Sequence, residues 1–344
     1  MSKKFDVVIG NPPYQEEAQG GGTRDTPVYH LFMDAAYEVG RKVVLITPAR
    51  FLFNAGFTPK AWNEKMLADP HLSVPHYVVK SSEVFPGTDI KAGVAVTYRD
   101  VLVAGEPIGT YSEHPELNAI LQKIRERREP SISGTVTSGR AYAYTQAMHD
   151  EHPEASGKMS RDAQFRISTN AFDQLPFLFH EREPEGRGTY VQVLGLAGRG
   201  RVLRWIKRNY LTGPSSFEKF KVVIAKANGS GALGEVLSTP LVMGPGVAVT
   251  MSFLTVGGFD EEAEAAACLS YLKTKFARAL LGILKKTQDN PSRVWRHVPL
   301  QKFHSDSDID WSKPIAEIDQ QLYAKYGLSG DEIAFIEEKV VPMA

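Results

Sequence analysis

A short run near the start of the chain, Phe5-Asp-Val-Val-Ile9, constrains the fold more than any other stretch. Its β-branched and aromatic residues predict a buried strand, which Gly10 and the two prolines at 12 and 13 end abruptly. Proline has a fixed φ and no amide hydrogen, so the loop after the strand is stiff and its carbonyl oxygens are free to accept.

The same loop offers a side-chain acceptor in Asn11 and a flat ring in Tyr14. Ligands of α/β proteins bind at the carboxyl ends of the strands, where this loop is predicted to lie. The residue types therefore indicate a site that presents hydrogen-bond acceptors beside an aromatic face. The alternative is a proline-rich turn with a surface tyrosine.

Asn11-Pro12-Pro13-Tyr14 after a strand resembles the catalytic motif of amino-methyltransferases that use S-adenosylmethionine. The resemblance is to adenine-specific DNA methyltransferases of type II (IIG-like) restriction–modification systems. It implies that the Asn11 side chain and the Pro12 carbonyl accept hydrogen bonds from the exocyclic amine of adenine. Tyr14 would stack on the base, with Pro13 beside it, after the base has flipped out of double-stranded DNA. The reaction then needs positioning and oriented acceptors, and no metal.

Composition is that of an ordinary globular chain of 344 residues, for which two domains are a reasonable expectation. The single cysteine, Cys268, excludes an intramolecular disulfide and fits a cytoplasmic location. No signal peptide and no membrane span are predicted. The net charge is zero, with 40 basic and 40 acidic residues, which argues weakly against DNA binding until the charge is mapped along the chain.

After the loop, apolar residues at helical spacing predict a helix over residues 28–36; they are Val28, Leu31, Phe32, Ala35 and Ala36. The pattern then predicts a strand at 43–46, a helix over 59–67 and strands at 76–80 and 93–98. Strand, helix and strand form a crossover unit of a parallel sheet. Residues 15–25 are predicted to be a plain surface loop or a flap that closes over the base. Phe85, in a Pro-Gly turn between the late strands, resembles the family's aromatic that packs against the flipped adenine; the alternative is a cap on the sheet's hydrophobic edge.

A helix with Leu117, Ile120, Leu121 and Ile124 on one face follows Ser112, and a domain boundary is predicted at 130/131. Two basic segments lie beyond it, at 199–226 and 273–302, and an acidic tail balances them. Basic segments interleaved with aromatic residues favour phosphate contacts with DNA over two plain solvated faces once the catalytic loop is considered. The predicted DNA contacts are Arg199, Arg201, Arg204, Lys207, Arg208, Lys285, Lys286 and Arg293.

The later part resembles the target-recognition half of fused restriction–methylation enzymes, on the stretches 263–276, 286–288, 298–301, 310–311 and 322–328. A second glycine pattern, at Asn228–Gly234, matches G-x-G-x-x-G but lacks a following helix and the later acidic residue of a nucleotide fingerprint. We interpret it as a loop of the recognition domain. Glu337 and Glu338 have a nuclease-like spacing but no upstream partner, which favours a solvated helix end.

The predicted fold is α/β, a partial Rossmann-like methyltransferase sheet in residues 1–130, followed by an α+β target-recognition domain in residues 131–344. In the family order, the S-adenosylmethionine motif precedes the catalytic loop, and only ten residues stand before Asn11. The sequence therefore predicts that the main cofactor site is incomplete and that the sheet edge at Phe5–Ile9 is uncovered. A missing N-terminal half, self-association or the chain's own loops would then cover it. Two rival functions stay open, a protein-glutamine methyltransferase and a non-catalytic DNA-binding remnant.

Overall fold

A computed structural model describes residues 3–16, 26–55, 57–185, 188–198 and 200–343. Their contacts divide the chain into two units, Met1–Asn118 and Ala119–Ala344. The division falls inside the helix Pro115–Glu126, whereas the sequence predicts a boundary just after it. The boundary at 130/131 stays a prediction.

The first unit is built on a four-stranded mixed sheet with the order β1-β4-β6-β5. Its elements are β1 (Phe5–Gly10), β2 (Gln15–Glu16), β3 (Thr26–Pro27), α1 (Tyr29–Val39), β4 (Gly40–Pro48), α2 (Lys60–Ala68), β5 (Leu72–Val78), β6 (Val94–Asp100) and α3 (Pro115–Glu126), which crosses the division. β1 and β4 are parallel and α1 connects them, so the predicted crossover unit is confirmed. β6 runs antiparallel to both β4 and β5. The residues thus form a mixed α/β layer.

The prediction that Phe5–Ile9 forms a buried strand is wrong in its burial. Phe5, Val7 and Ile9 are 48%, 52% and 76% exposed, while Val8 packs against the core. In a strand, alternate side chains point to opposite faces, and only one face of β1 meets α1 and its neighbours. β1 is also the edge of its sheet among the described strands, as the sequence leads one to expect.

Helix α1 forms where predicted but buries a different stripe. Tyr29, Met33 and Tyr37, spaced four residues apart, face the core, and Leu31 and Phe32 are exposed. The buried stripe is rotated because large aromatic side chains fill the space above the sheet, where Tyr29 meets Trp62 edge to face. Asp34 then accepts hydrogen bonds from the Trp62 ring at 3.0 Å and from Lys65 at 2.9 Å, joining α1 to α2.

The second unit combines small sheets with helices packed on them. Its elements are β7 (Val136–Ser138), β8 (Ala143–Tyr144), α4 (Gln146–Glu151), α5 (Ala155–Lys158), α6 (Ala171–Gln174), β9 (Tyr190–Ala197), β10 (Gly200–Lys207), β11 (Leu211–Thr212), β12 (Phe220–Ala225), β13 (Leu241–Met243), β14 (Val247–Val249), β15 (Phe253–Phe259), α7 (Glu262–Lys273), α8 (Lys275–Leu284), α9 (Ile315–Lys325) and α10 (Gly330–Lys339). The largest sheet has the order β13-β12-β15-β7, and a second has the order β10-β9-β14.

The C-terminal helices are joined by buried polar contacts. Asp319 on α9 accepts the backbone amides of Lys275 and Phe276 at 3.0 and 2.9 Å, so it satisfies donors that the first turn of α8 leaves free. Phe276 stacks on Tyr326 with ring centroids 4.8 Å apart. None of the described helices is long and apolar enough to cross a membrane. The described residues include no cluster of three or more His, Cys, Asp or Glu that could hold a metal ion.

Helix α10 begins with a capping box, which predicts a measurable stability effect. The Ser329 hydroxyl accepts the Glu332 amide, and the Glu332 carboxylate accepts the Ser329 amide at 2.7 Å. Ser329→Ala should lower the free energy of unfolding by about 1 kcal/mol, because one amide loses its acceptor. Urea unfolding followed by circular dichroism measures it. Ser305→Ala, at an exposed position, serves as the control, and equal stability of the two variants would contradict the prediction.

Candidate functional site

The loop that follows β1 lines a cavity of about 520 Å³ in the first unit. β1 and β4 are parallel, so their carboxyl ends meet at one edge of the sheet, and both contribute to this cavity. The lining residues are Asn11, Pro12, Pro13, Tyr14, Gln15, Pro27, Tyr29, Pro48, Arg50, Phe57, Phe85, Thr88, Asp89 and Ile90. All the residues that the sequence assigns to the catalytic loop and to the base thus line one cavity.

The acceptors of the loop are available. Asn11 is exposed, and neither its side-chain amide nor the Pro12 carbonyl forms a hydrogen bond with a described residue. The prolines hold the backbone here without donating, so the acceptors keep their direction. The cavity therefore offers two neutral acceptors side by side in the chain.

Tyr14 is fixed from both ends. Its carbonyl accepts the amides of Val28 and Tyr29 at 3.1 and 3.4 Å, which ties the loop to the start of α1. Its ring packs against the core, and its buried hydroxyl has no partner among the described groups. Burial raises the pKa of Tyr14 to about 12, so the phenol stays neutral at physiological pH.

Phe85 reaches the same cavity from the turn between β5 and β6. Its ring meets that of Tyr14 edge to face, with centroids 6.3 Å apart and planes at 69°. The buried Ser81 organises this turn. Its hydroxyl accepts the Ile90 amide at 2.8 Å, and its carbonyl accepts the Phe85 amide at 2.8 Å. Thr88 adds a hydrogen bond to the Phe85 carbonyl at 2.8 Å.

The Ser81 hydroxyl should therefore hold Phe85 in place. Ser81→Ala removes the acceptor of the partly buried Ile90 amide and should destabilise the turn by about 0.5–1.5 kcal/mol, the usual contribution of one hydrogen bond. Hydrogen–deuterium exchange of residues 85–92 should become faster. Ser82→Ala, at the exposed neighbouring position, is the matched control. Unchanged exchange in Ser81→Ala would mean that the turn holds itself.

The sequence analysis assigned no site role to four polar or charged residues that line the cavity: Tyr29, Arg50, Thr88 and Asp89. Arg50 follows the end of β4 by two residues, and its Nε donates to the Lys91 carbonyl at 3.1 Å. The sequence signal that could have identified Arg50 is a basic residue just after the carboxyl end of a predicted parallel strand. The predicted flap lies outside the described residues from 17 to 25; its ends, β2 and β3, pair with each other.

The first basic segment of the second unit is largely neutralised within the protein. Arg204 pairs with Glu181 at 2.9 Å, and Arg208 donates to Glu218 at 2.7 Å. Arg201 donates to the Ser238 carbonyl at 2.7 Å and lies over the Phe253 ring. These predicted DNA contacts thus have internal partners: Glu181 comes from outside the basic segment, and Glu218 lies within it. Arg199 lies outside the described residues.

Lys207 belongs to the same neutralised group. It contacts Glu151 at 2.6 Å, and this hydrogen bond lowers the pKa of Glu151 to about 2 and raises the pKa of Lys207. The Tyr210 hydroxyl donates to the same carboxylate at 2.5 Å. Lys207, Glu151 and Tyr210 form a surface ion-pair network, which contributes little to stability because solvent screens its charges.

The remaining predicted contacts differ in exposure. Lys285 is 4% exposed and donates to the Asn228 carbonyl and to Glu235, so it is a buried structural cation with no surface for a phosphate. Lys286 and Arg293 are exposed, and neither has an ion pair with a described residue. Only these two of the described predicted contacts are free to meet a ligand.

The glycine loop at Asn228–Gly234 already holds an anion of its own. The Glu235 carboxylate accepts the amides of Ser230 and Gly231 at 2.6 and 3.1 Å. Burial opposes ionisation of Glu235, but hydrogen bonds from the Ser230 hydroxyl, from the two amides and from Lys285 lower its pKa to about 2. A Cβ at Gly229 would come within 2.1 Å of this carboxylate. The predicted absence of a helix directly after the loop is confirmed, and its anion position is filled.

Residues 1–85 match the protein family described as "Eco57I restriction-modification methylase". This stretch contains Asn11, Tyr14 and Phe85, so the three residues lie within the match. No curated protein matches the chain. Residues 1–85 are therefore similar to a restriction–modification methylase domain, the class to which the catalytic loop was assigned from the sequence.

Solved structures of restriction–modification enzymes resemble the chain weakly. The type IIG restriction endonuclease BpuSI has 12% identity and a TM-score of 0.32 over 97% of this chain and 53% of its own. The type IIL restriction-modification enzyme MmeI in complex with DNA has 10% identity and a TM-score of 0.31 over 97% of this chain and 56% of its own. The chain spans about half the length of both, and scores this low do not establish a shared fold.

Proposed function

We propose that the cavity beside Asn11 accepts an adenine flipped out of DNA and prepares its exocyclic amine for methylation. The observation that carries the proposal is the convergence of Asn11, Pro12, Tyr14 and Phe85 on one cavity within the stretch that matches a methylase family. The cavity volume of about 520 Å³ lies in the range of small-molecule sites.

The chemistry follows from the acceptors. The lone pair of an aromatic amine is delocalised into the ring, so the amine is a weak nucleophile. The Asn11 side-chain oxygen and the Pro12 carbonyl accept hydrogen bonds from the two N–H groups of the amine. These hydrogen bonds localise the lone pair on nitrogen. Acceptors that are oriented before the reaction stabilise the developing charge at no cost of rearrangement.

The aromatic rings supply the binding. Tyr14 and Phe85 stand edge to face, so a base that stacks parallel to one ring is steeply inclined to the other and cannot stack on both. Stacking is worth about 1–3 kcal/mol per base. Tyr14 acts through its ring alone, since its buried hydroxyl donates to no described group.

The methyl donor that the resemblance implies is S-adenosylmethionine, and the proposal assigns none of the described residues to it. The one glycine-rich fingerprint, Asn228–Gly234, is filled by the Glu235 carboxylate. The described part of the first unit has no glycine loop between a strand and a helix to hold the adenosine. The proposal for this chain is thus confined to the base and its amine.

Double-stranded DNA is the proposed partner of the whole chain. The second unit follows the first in the chain, as a target-recognition domain would, and a duplex must be held before one of its bases can flip. A protein-glutamine substrate would need no phosphate contacts, so salt-dependent binding to DNA separates the two functions.

Asn11→Ala should cripple methylation while leaving DNA affinity nearly unchanged. The loss of one oriented acceptor should raise the barrier to methyl transfer by about 2.7–4 kcal/mol. Asn11→Asp keeps an acceptor in place and should lose less. Transfer of a labelled methyl group to DNA measures the rate, and gel-shift titration measures affinity. Normal methylation by Asn11→Ala would refute the role of the loop.

Tyr14→Ala should weaken the trapping of the flipped base by about 1–3 kcal/mol, because the stacking face is lost. Tyr14→Phe keeps that face and removes a hydroxyl without a described partner, so it should behave like the native protein. The fluorescence of 2-aminopurine at the target position reports base flipping. Equal fluorescence with Ala and Phe at position 14 would exclude stacking on this ring.

A further inference from the structure

The second unit has a cleft whose cations are left without ion-pair partners. A cavity of about 310 Å³ is lined by Arg140, Lys226 and Arg293, together with one acid, Asp289. All four are exposed, and none has an ion pair with a described residue. This contrasts with Arg204, Lys207 and Arg208, each of which pairs with a glutamate.

Three separate chain segments bring these cations together. β7 pairs antiparallel with β15, with Ser138 opposite Leu254, and Arg140 follows directly in a turn where its amide donates to the Ser138 hydroxyl. Lys226 follows the end of β12. Arg293 lies in the short 3-10 helix Ser292–Trp295. The cluster is therefore a product of the tertiary fold and is not visible as a run of basic residues.

The backbone beneath the cations is rigidly held. Asn290 is fully buried, and its amide group donates to the Ala225 carbonyl at 3.0 Å and to the Asn228 side chain at 2.6 Å. Its backbone amide donates to the Lys226 carbonyl at 2.8 Å. The buried Trp295 ring donates to the Asn290 carbonyl at 3.3 Å, which anchors the turn that carries Arg293. Charges on a fixed backbone lose less entropy when they meet a ligand.

We propose that this cleft binds the backbone phosphates of duplex DNA. The inference rests on the proposed function, in which DNA is the partner, and it locates the contact surface at Arg140, Lys226 and Arg293. Guanidinium and ammonium groups bind phosphate oxygens through charge-assisted hydrogen bonds. Ser138 and Ser292 also line the cavity, and their hydroxyls could donate further hydrogen bonds to phosphate.

Val136, Leu254 and Pro291 complete the lining with apolar surface suited to the sugar. Asp289 reduces the net charge of the lining to that of two cations, so it weakens the attraction and offers an acceptor for a base amino group. The cleft thus has enough positive charge to hold phosphates, and it keeps one negative group, the Asp289 carboxylate.

Duplex binding by residues 1–344 over a series of salt concentrations tests the inference. The variant with Arg140→Gln, Lys226→Gln and Arg293→Gln should bind more weakly, and its plot of log affinity against log salt should flatten by about 0.9 for each lost phosphate contact. The matched control carries Arg161→Gln, Arg182→Gln and Lys302→Gln, which removes the same charge from exposed positions elsewhere in the unit. The slope of the control variant should stay close to that of the native chain. Asp289→Asn should tighten binding.

The outcomes separate the two levels of the proposal. If the native chain shows no salt-dependent binding to duplex DNA, the proposed partner is wrong. If it binds and the cleft variant keeps the native affinity and slope, the partner stands and the location is wrong. Equal losses in the cleft variant and the control would likewise overturn the location, since any three cations would then serve. Thermal unfolding of both variants verifies that they remain folded.

Discussion

The candidate site depends on one backbone oxygen. The Tyr14 carbonyl accepts the amides of Val28 and Tyr29, so the loop that ends β1 is joined to the start of α1. Because α1 leads directly into β4, this contact fixes the loop relative to the parallel strand pair on which the cavity is built. The two prolines then leave the loop few other conformations. Asn11 is directed into the cavity by this geometry without any hydrogen bond from a described side chain, which keeps its oxygen free for a substrate.

The order of strands and helices in the first unit follows from local patterns, and so does the position of the site. The strand at Phe5–Ile9, the helix after it and the strand at 43–46 were all predicted, since apolar periodicity and turn residues act over a few positions. Burial was predicted less well. A strand is exposed or covered according to its neighbours in space, and β1 has a described neighbour on one side only. In α1, the aromatic residues that fill the core displaced the stripe that spacing alone would choose.

The pairing of charged residues was predicted even less well from the sequence than burial was. A run of basic residues can be read from the sequence, but its pairing cannot, because the glutamates that pair with Arg204 and Lys207 lie outside the segment and only the fold brings them close. Lys285 is the extreme case, a predicted phosphate contact that is buried against Glu235. Arg140 is the converse, an isolated basic residue that the fold places in the lining of the same cavity as Arg293. Whether a cation is available to a ligand is a property of the tertiary structure.

A zero net charge is therefore compatible with DNA as the partner. Association with a polyanion depends on local potential within about a Debye length, roughly 8 Å at physiological salt, and distant acidic residues contribute little there. The ion pairs of the second unit cancel charge locally, so the cations they leave free determine where the potential is positive. The base site works by the opposite means, since Asn11 and Pro12 are neutral acceptors whose effect depends on direction. Binding by free cations and activation by oriented dipoles thus divide the proposed function between two kinds of surface, one sensitive to salt and one not.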